Sequence, residues 1–283
     1  MSGPSKVTVA TLAQSKRQGR KITMLTAYDY PLARFINQAG VDVILVSDAV
    51  GTVGLGRPEA VSVTVDEMIY HTRACRNGAG TSMVVTTLPF GSYANPSDAV
   101  HNAARLLKEG GADGVHVEGT HSDAAVVSAI VAAGIPVMAH VGVIKQKIVR
   151  SGEIRVQGRT ATQAAEILKD ALAMTRAGAF ALVLECIPVP LADAITRSVS
   201  IPTIGIGAGA VCDGQALVTQ DMLGLFKGLA PRFLRVYADL EQTIVQALST
   251  FREDVEVGRF PGAENTYSIS DEEMTQLLAA LHG

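Results

Sequence analysis

The chain has 283 residues, of which 48% are hydrophobic and 18% are charged, and its formal net charge is −3. That length fits one large α/β domain or two ordinary ones, with ample apolar material for a core. The chain has no long basic run, which argues against nucleic-acid binding, because phosphate contacts need clustered Lys and Arg.

The sequence also indicates a cellular compartment. No window approaches twenty uninterrupted apolar residues, and the N-terminus lacks the apolar core of a signal peptide. Cys75, Cys186 and Cys212 are far apart and form no CxxC pair, so we expect reduced thiols. We therefore expect a cytoplasmic protein without a membrane segment.

Eight apolar runs follow one another along the chain, each short enough for a buried strand. In chain order they are ITMLTAYD, VDVILVSD, SMVVTTLPF, DGVHVEG, IPVMAHVGV, FALVLECIP, IPTIGIGAG and a weaker ALVTQDMLG. Between them lie segments with apolar residues at helical spacing: PLARFINQAG, VDEMIYHTRACRNGAG, NPSDAVHNAARLLKEGGA, SDAAVVSAIVAAG, TATQAAEILKDALAMTRAGA and PLADAITRSV. Several of these helices are predicted to end at a C′ glycine, namely Gly40, Gly78, Gly134 and Gly178.

Eight strand–helix units favour a (β/α)8 TIM barrel over an open doubly wound sheet, which is the alternative fold. We predict a single barrel domain over residues 1–283, with an N-terminal extension and a C-terminal helix. The polar segment 144–160 follows a strand, and we interpret it as a long active-site loop or lid. The segment after residue 230 is predicted to form a long helix with an irregular end. That helix either closes the barrel or reaches a neighbouring subunit.

Catalytic groups of such barrels collect at the carboxyl ends of the strands. In VHVEG, His116 and Glu118 are two residues apart and share one face, so they are predicted to point inward. Charges are rarely buried without partners, and several that converge indicate a metal or a polar substrate. A single strand-end aspartate, by contrast, is more often a turn or cap residue, and GIGAG is only a weak phosphate-loop signal. The predicted strand ends carry Asp29, Asp48, Thr87, His116, Glu118, His140 and Glu185.

Over residues 20–225 the chain resembles the ketopantoate hydroxymethyltransferase family, because several longer motifs match in the same order. They are KITMLTAYDYPLA, VILVSDAVG, VTVDEMIYHTRA, LPFGSYANP, VEG, AHVGV, VQGR, DALAMTRAGAFALVLECIPV and IPTIGIGAG followed by CDGQ. The resemblance implies a barrel of the phosphoenolpyruvate/pyruvate type and a large homo-oligomer, in this family commonly a decamer. It also implies Mg²⁺ and transfer of a hydroxymethyl group from 5,10-methylenetetrahydrofolate to 3-methyl-2-oxobutanoate, a step of pantothenate synthesis.

The resemblance also assigns roles to individual residues. Asp48 and Glu118 match positions that hold the metal, directly or through water. Glu185 matches the base that removes the proton beside the ketone, and His140 matches a histidine of the same pocket. A divalent ion that holds the keto acid would stabilise the enolate formed on deprotonation. A partly buried carboxylate would serve as the base.

Three positions at the keto-acid site depart from the family pattern. Ala49 stands where the family has Ser, Thr87 where it has a second metal-binding Asp, and His116 where it has Lys. We expect these three positions to bind substrate, with His116 replacing the lysine beside a substrate carboxylate or offering a nitrogen to a transition metal. The departures imply a weakened or altered metal site, and a keto acid related to, or the same as, 3-methyl-2-oxobutanoate.

Three functions fit these residues. The first is a hydroxymethyltransferase or aldolase that uses 5,10-methylenetetrahydrofolate and a 2-keto acid. The second is a metal-dependent C–C lyase or aldolase of the same superfamily that acts on another keto acid without folate. The third is a catalytically weakened paralogue that binds a ligand. Dependence on folate separates the first two, and the presence of Glu185 argues against the third.

Overall fold

The computed structural model describes residues 5–144, 155–225 and 231–282. Within these residues, eight parallel strands close into a barrel in chain order, and the first strand pairs with both the second and the last. The predicted (β/α)8 barrel is confirmed, and the open doubly wound sheet is excluded. The strands are β1 (Ile22–Thr26), β2 (Val43–Val46), β3 (Met83–Thr87), β4 (Gly114–Glu118), β5 (Val137–Gly142), β6 (Ala181–Glu185), β7 (Thr203–Ile206) and β8 (Gly214–Leu217).

Helices alternate with these strands, as parallel connections require. They are α1 (Val9–Gln18), α2 (Tyr30–Gln38), α3 (Val50–Val53), α4 (Val65–Gly78), α5 (Pro96–Lys108), α6 (Ala124–Ala132), α7 (Ala161–Arg176), α8 (Val189–Ser198), α9 (Thr219–Met222), α10 (Leu240–Glu256) and α11 (Asp271–Leu281). Short 3-10 turns lie at Ala60–Ser62, His121–Asp123 and Ala263–Asn265. Helix starts follow local sequence: Thr64 caps α4 in a capping box with Glu67.

Strand side chains alternate between two apolar layers. Met24 and Val85 belong to a cluster inside the barrel, whereas Val117 belongs to the larger cluster shared with the helices. The alternation sends His116 and Glu118 toward the barrel axis, where both line a cavity. The sequence prediction that this pair points inward is confirmed.

Helix α1 and strand β8 differ from the prediction. The N-terminal extension forms α1, whose Leu12 is fully buried in the inner cluster, but only two of its ten residues are buried and its apolar pattern is correspondingly weak. Strand β8 begins at Gly214, before the predicted run. A Cβ at that position would lie 2.5 Å from the carbonyl oxygen of Ile22, so the close contact requires glycine. A glycine at a close strand contact gives no apolar signal.

Gly78 is not the C′ residue that the sequence predicted. It is the last residue of α4, where a Cβ would lie 2.5 Å from the carbonyl oxygen of Tyr30 in α2. It permits close packing between the two helices. Gly40, Gly134 and Gly178 do have positive φ and follow helix C-caps, as predicted.

The segment after residue 230 contains two helices, α10 and α11, rather than the single helix predicted. Neither helix has a buried residue. In the described ranges, no helix has the length and apolarity to cross a membrane. Residues 145–154 of the predicted active-site loop lie outside the described residues. The end of that loop contacts the barrel, since the Gln157 amide donates to the carbonyl oxygen of Cys186 at 2.9 Å.

Candidate active site

A cavity opens at the carboxyl end of the barrel. Most of its polar lining comes from four strand ends: Ser47 and Asp48 follow β2, His116 and Glu118 lie on β4, His140 on β5 and Glu185 on β6. Thr26 of β1 and the apolar Ala49 also line the cavity. The apolar lining comes mainly from β1, β6, β7 and β8. The sequence prediction of a polar cluster at this end of the barrel therefore matches the position of the cavity.

Local structure places Asp48 and Glu185 at the cavity. Strand β2 ends at Val46, and Asp48 begins the turn into the short helix α3, where its carbonyl accepts from the Gly51 amide. Strand β6 ends at Glu185 because Cys186 adopts φ 52°, a conformation that bends the chain out of the sheet. Both carboxylates are buried, so their position is fixed by neighbouring strands rather than by a solvated loop.

A row of hydrogen bonds crosses β3, β4 and β5. Thr87 Oγ1 lies 3.0 Å from His116 Nδ1, and His116 Nε2 lies 3.1 Å from His140 Nδ1. His140 Nε2 then lies 2.9 Å from the carbonyl oxygen of Val143 and 3.4 Å from Glu185 Oε2. The row thus extends from Thr87 to the carboxylate at the end of β6.

Two expected substrate-site residues have unexpected surroundings. Thr87 is fully buried behind His116 and is not among the described residues that line the cavity. Both ring nitrogens of His116 have partners within the protein. Ala49 does line the cavity. Asp29 is exposed and caps α2 by accepting from the Leu32 amide, which is the cap role that the sequence left open.

Tyr93 is a neighbour of the site that the sequence reasoning did not single out. Its hydroxyl donates to the backbone carbonyl of Glu118 at 2.9 Å. Burial raises the pKa of Tyr93, and the negative charges of Glu118, Asp123 and Asp48 raise it further. The phenol therefore stays protonated near the two expected metal carboxylates. Its place in the loop after β3, within LPFGSYANP, was the available signal.

Asp48 and Glu118 offer carboxylate oxygens, the ligand type that a hard divalent cation prefers. Proteins commonly hold Mg²⁺ with one or two carboxylates, while substrate oxygens and water complete its octahedron. Both side chains line the cavity and are buried. Among the described residues, no group of three or more His, Cys, Asp or Glu is placed to hold a metal ion.

Comparison with known proteins gives the family. The model of the ketopantoate hydroxymethyltransferase family matches residues 6–263, which is most of the chain. The chain belongs to the ketopantoate hydroxymethyltransferase family. A 3-methyl-2-oxobutanoate hydroxymethyltransferase of Moorella thermoacetica is 49% identical over 268 residues, covering 94% of this chain and 100% of that protein. One of Enterococcus faecalis is 47% identical over 273 residues, covering 96% and 99%.

Solved structures with the same fold share little sequence with this ketopantoate hydroxymethyltransferase family member. Phosphonopyruvate hydrolase aligns with a TM-score of 0.61 at 13% identity, covering 99% of this chain and 96% of that one. A 2,3-dimethylmalate lyase of the PEP mutase/isocitrate lyase superfamily aligns with a TM-score of 0.57 at 14% identity, covering 96% and 98%. These likenesses show the fold alone, a closed (β/α)8 barrel. The family membership shows that the protein is a transferase.

Proposed function

We propose that this transferase uses 5,10-methylenetetrahydrofolate to hydroxymethylate 3-methyl-2-oxobutanoate or a closely related 2-keto acid. The observation that carries the proposal is the meeting of Glu185 and His140 with Asp48 and Glu118 around one cavity. The family relationship gives the reaction class, and the cavity supplies a base, hydrogen-bond donors and carboxylates for it. The product enters pantothenate synthesis.

Glu185 is the proposed base. Its carboxylate is buried at the end of β6, where water competes little for the oxygen that takes the C3 proton of the keto acid. The carbon freed of its proton then forms a bond to the one-carbon unit. Keto acid, methylenetetrahydrofolate and water give the hydroxymethylated keto acid and tetrahydrofolate, with water supplying the hydroxyl oxygen.

Asp48 and Glu118 are the proposed holders of Mg²⁺ or another divalent ion. When bound, such an ion supplies positive charge that stabilises the enolate oxygen. The Tyr93 hydroxyl holds the backbone of Glu118 at the end of β4 and so fixes one of the two carboxylates. Loss of one carboxylate relative to the family pattern, at Thr87, is expected to lower the affinity for Mg²⁺.

The cavity wall suits a branched hydrocarbon side chain. Its apolar members come mainly from β1, β6, β7 and β8, with Leu45 from β2. Burying one methylene of a substrate on such a wall contributes about 0.8 kcal/mol. The apolar residues include Met24, Leu45, Val183, Ile206, Ala216, Leu217 and Val218.

Proton exchange in deuterated water tests the proposal. Purified protein is incubated with 3-methyl-2-oxobutanoate and other 2-keto acids, with Mg²⁺, Mn²⁺, Co²⁺ or Zn²⁺, and loss of the C3 proton signal is followed by NMR. We expect exchange with at least one branched keto acid, and Glu185→Gln should lower its rate by about 10²- to 10⁴-fold. Glu166→Gln on the exposed face of α7 is the matched control and should not change it.

Folate dependence tests the second half of the reaction. Addition of 5,10-methylenetetrahydrofolate should give the hydroxymethylated keto acid, and removal of divalent metal with a chelator should abolish product until metal is restored. Undiminished exchange in Glu185→Gln would contradict the base assignment. Cleavage of a C–C bond without folate would instead point to the lyase alternative.

A further inference from the structure

Four buried polar side chains lie side by side on four consecutive strands. The strand register pairs Thr87 with His116 and Glu118 with His140, and it pairs Gly142 with Glu185. Register of this kind brings the side chains of neighbouring strands to the same height in the barrel. The Thr87–His116 hydrogen bond follows from this pairing. The His116–His140 hydrogen bond runs diagonally between the strands, because His116 pairs with Met138 and His140 pairs with Glu118.

The Val143 carbonyl oxygen fixes the direction of these hydrogen bonds. A carbonyl can only accept, so His140 Nε2, at 2.9 Å, must carry the proton. In a neutral ring, Nδ1 of His140 then accepts, so His116 Nε2 must donate to it across 3.1 Å. By the same rule, Nδ1 of a neutral His116 accepts from the Thr87 hydroxyl at 3.0 Å. Every donor in the row therefore points toward Glu185.

We propose that Thr87 and His116 are positioning residues that hold His140 in the tautomer with the proton on Nε2. In this tautomer the N–H faces both the Val143 carbonyl and Glu185 Oε2, which lies 3.4 Å away. In the other tautomer a nitrogen lone pair would face two oxygens, and their repulsion would displace the carboxylate. This inference rests on the proposed role of Glu185 as the base.

The geometry gives His116 a different role from the one its sequence position suggested. A histidine that binds a substrate carboxylate or a metal needs a ring nitrogen directed at that ligand. Both ring nitrogens of His116 are used, one by Thr87 and one by His140. The Thr87 hydroxyl, buried behind the ring, likewise serves His116. The substituted pair thus acts on substrate through His140 and Glu185.

Neutron diffraction of deuterium-exchanged crystals of the intact protein tests the tautomers directly, without substrate. We expect deuterium on Nε2 of His140, on Nε2 of His116 and on the Thr87 hydroxyl, directed at His116 Nδ1. Deuterium on Nδ1 of either histidine would overturn the proposal. This outcome is independent of the reaction, so the proposed function and the positioning role can fail separately.

Paired variants test the catalytic consequence. His116→Leu removes the donor to His140, whereas the amide of His116→Gln can donate from near the position of Nε2. We expect kcat for C3 proton exchange to fall by about 10²-fold in His116→Leu, with KM little changed, because a small displacement of the base has effects of this size. His116→Gln should recover most of that rate.

Thr87→Val and Thr87→Ser form the second pair. The valine removes the hydroxyl at nearly constant shape and should lower kcat, and the serine should restore most of it. Equal rates in the leucine and glutamine variants, or a loss confined to KM, would overturn the positioning role and indicate direct substrate contact by His116. Glu185→Gln runs in parallel: undiminished exchange there rejects the base itself, whatever the His116 variants do.

Discussion

Five ionisable side chains around the cavity are each 4% exposed or less: Asp48, His116, Glu118, His140 and Glu185. Burying such groups costs free energy unless each has polar partners, and a barrel built only for stability would place apolar residues there. The described contacts meet part of that cost through the row from Thr87 to Val143. At the scale of single residues, the site therefore lowers the stability of the fold and provides reactive side chains.

Glu67 contributes to the stability of the folded protein in a way that depends on pH. A hydrogen bond from Arg57 and one from the Thr64 amide lower its pKa to about 2 from 4.5. Because the folded pKa is depressed, the stabilisation is complete above pH 4.5 and is lost as pH falls toward 2. With the two side chains 32% and 30% exposed, we expect Glu67→Gln to cost about 1 kcal/mol at pH 7.

Urea unfolding of the wild type and of Glu67→Gln over a pH series checks this prediction. The difference in the free energy of unfolding should shrink steadily below pH 4.5. Glu166→Gln serves as the control, because that carboxylate is exposed on α7. A difference that stays constant down to pH 3 would show that the ion pair with Arg57 is not its source.

At the scale of elements, the contact between β5 and β6 sets the position of the base. Gly142 ends β5 with φ 100°, and a Cβ there would lie 2.3 Å from the carbonyl oxygen of Glu185. We expect Gly142→Ala to destabilise the protein by about 2–3 kcal/mol, from overpacking plus left-handed strain, and to lower C3 exchange by moving β5 away from β6.

Gly134→Ala is the matched control for this change. Gly134 also has positive φ, 82°, but nothing lies within 4 Å of an added Cβ. It should cost only the backbone strain, about 1 kcal/mol, and leave exchange intact. Thermal unfolding and the exchange assay compare the two, and equal effects of the two substitutions would contradict the role of the close contact.

The helices and strands also differ in how well the sequence predicts them. Buried strands such as β2, with every residue buried, are predicted from apolar runs alone. Two wrong predictions, at Gly214 and Gly78, have one physical origin. At each position another backbone comes close, and a residue without a side chain adds nothing to the apolar pattern of the sequence. At the site, the row of strand ends was predictable, because the carboxyl ends of parallel strands share one edge. The partners of His116 were not, because they depend on strand register and ring orientation.

At the scale of the whole molecule, the two C-terminal helices have apolar faces without cover in the protomer. Large apolar side chains of α10 and α11 are exposed, including Ile244, Val245, Leu248, Phe251, Leu277 and Leu281. Several exposed large apolar side chains on one helix are typical of interfaces, because burial of apolar surface contributes about 25 cal/mol per Å². The predicted homo-oligomer, a decamer in the family's usual form, stays a prediction, and we place its contacts on α10.

Light scattering over a range of protein concentrations checks the assembly. We expect Leu248→Glu, which puts a charge on the apolar face of α10, to lower the molar mass in solution. Gln246→Glu, two residues earlier on the same helix, adds the same charge at an exposed polar position and should leave the mass unchanged. A wild-type monomer at micromolar concentration would refute the prediction.

Leu12 of α1 helps to close the end of the barrel opposite the cavity. It is fully buried in the apolar cluster that fills the interior beneath the cavity. Small molecules cannot cross that filled layer, so the proposed keto acid would enter, and its product would leave, through the carboxyl-end opening. The proposed keto acid and its product would share one passage and one site, so accumulated product would compete with incoming keto acid. In a cell, the turnover of this protein would depend on how quickly the next step draws the product away.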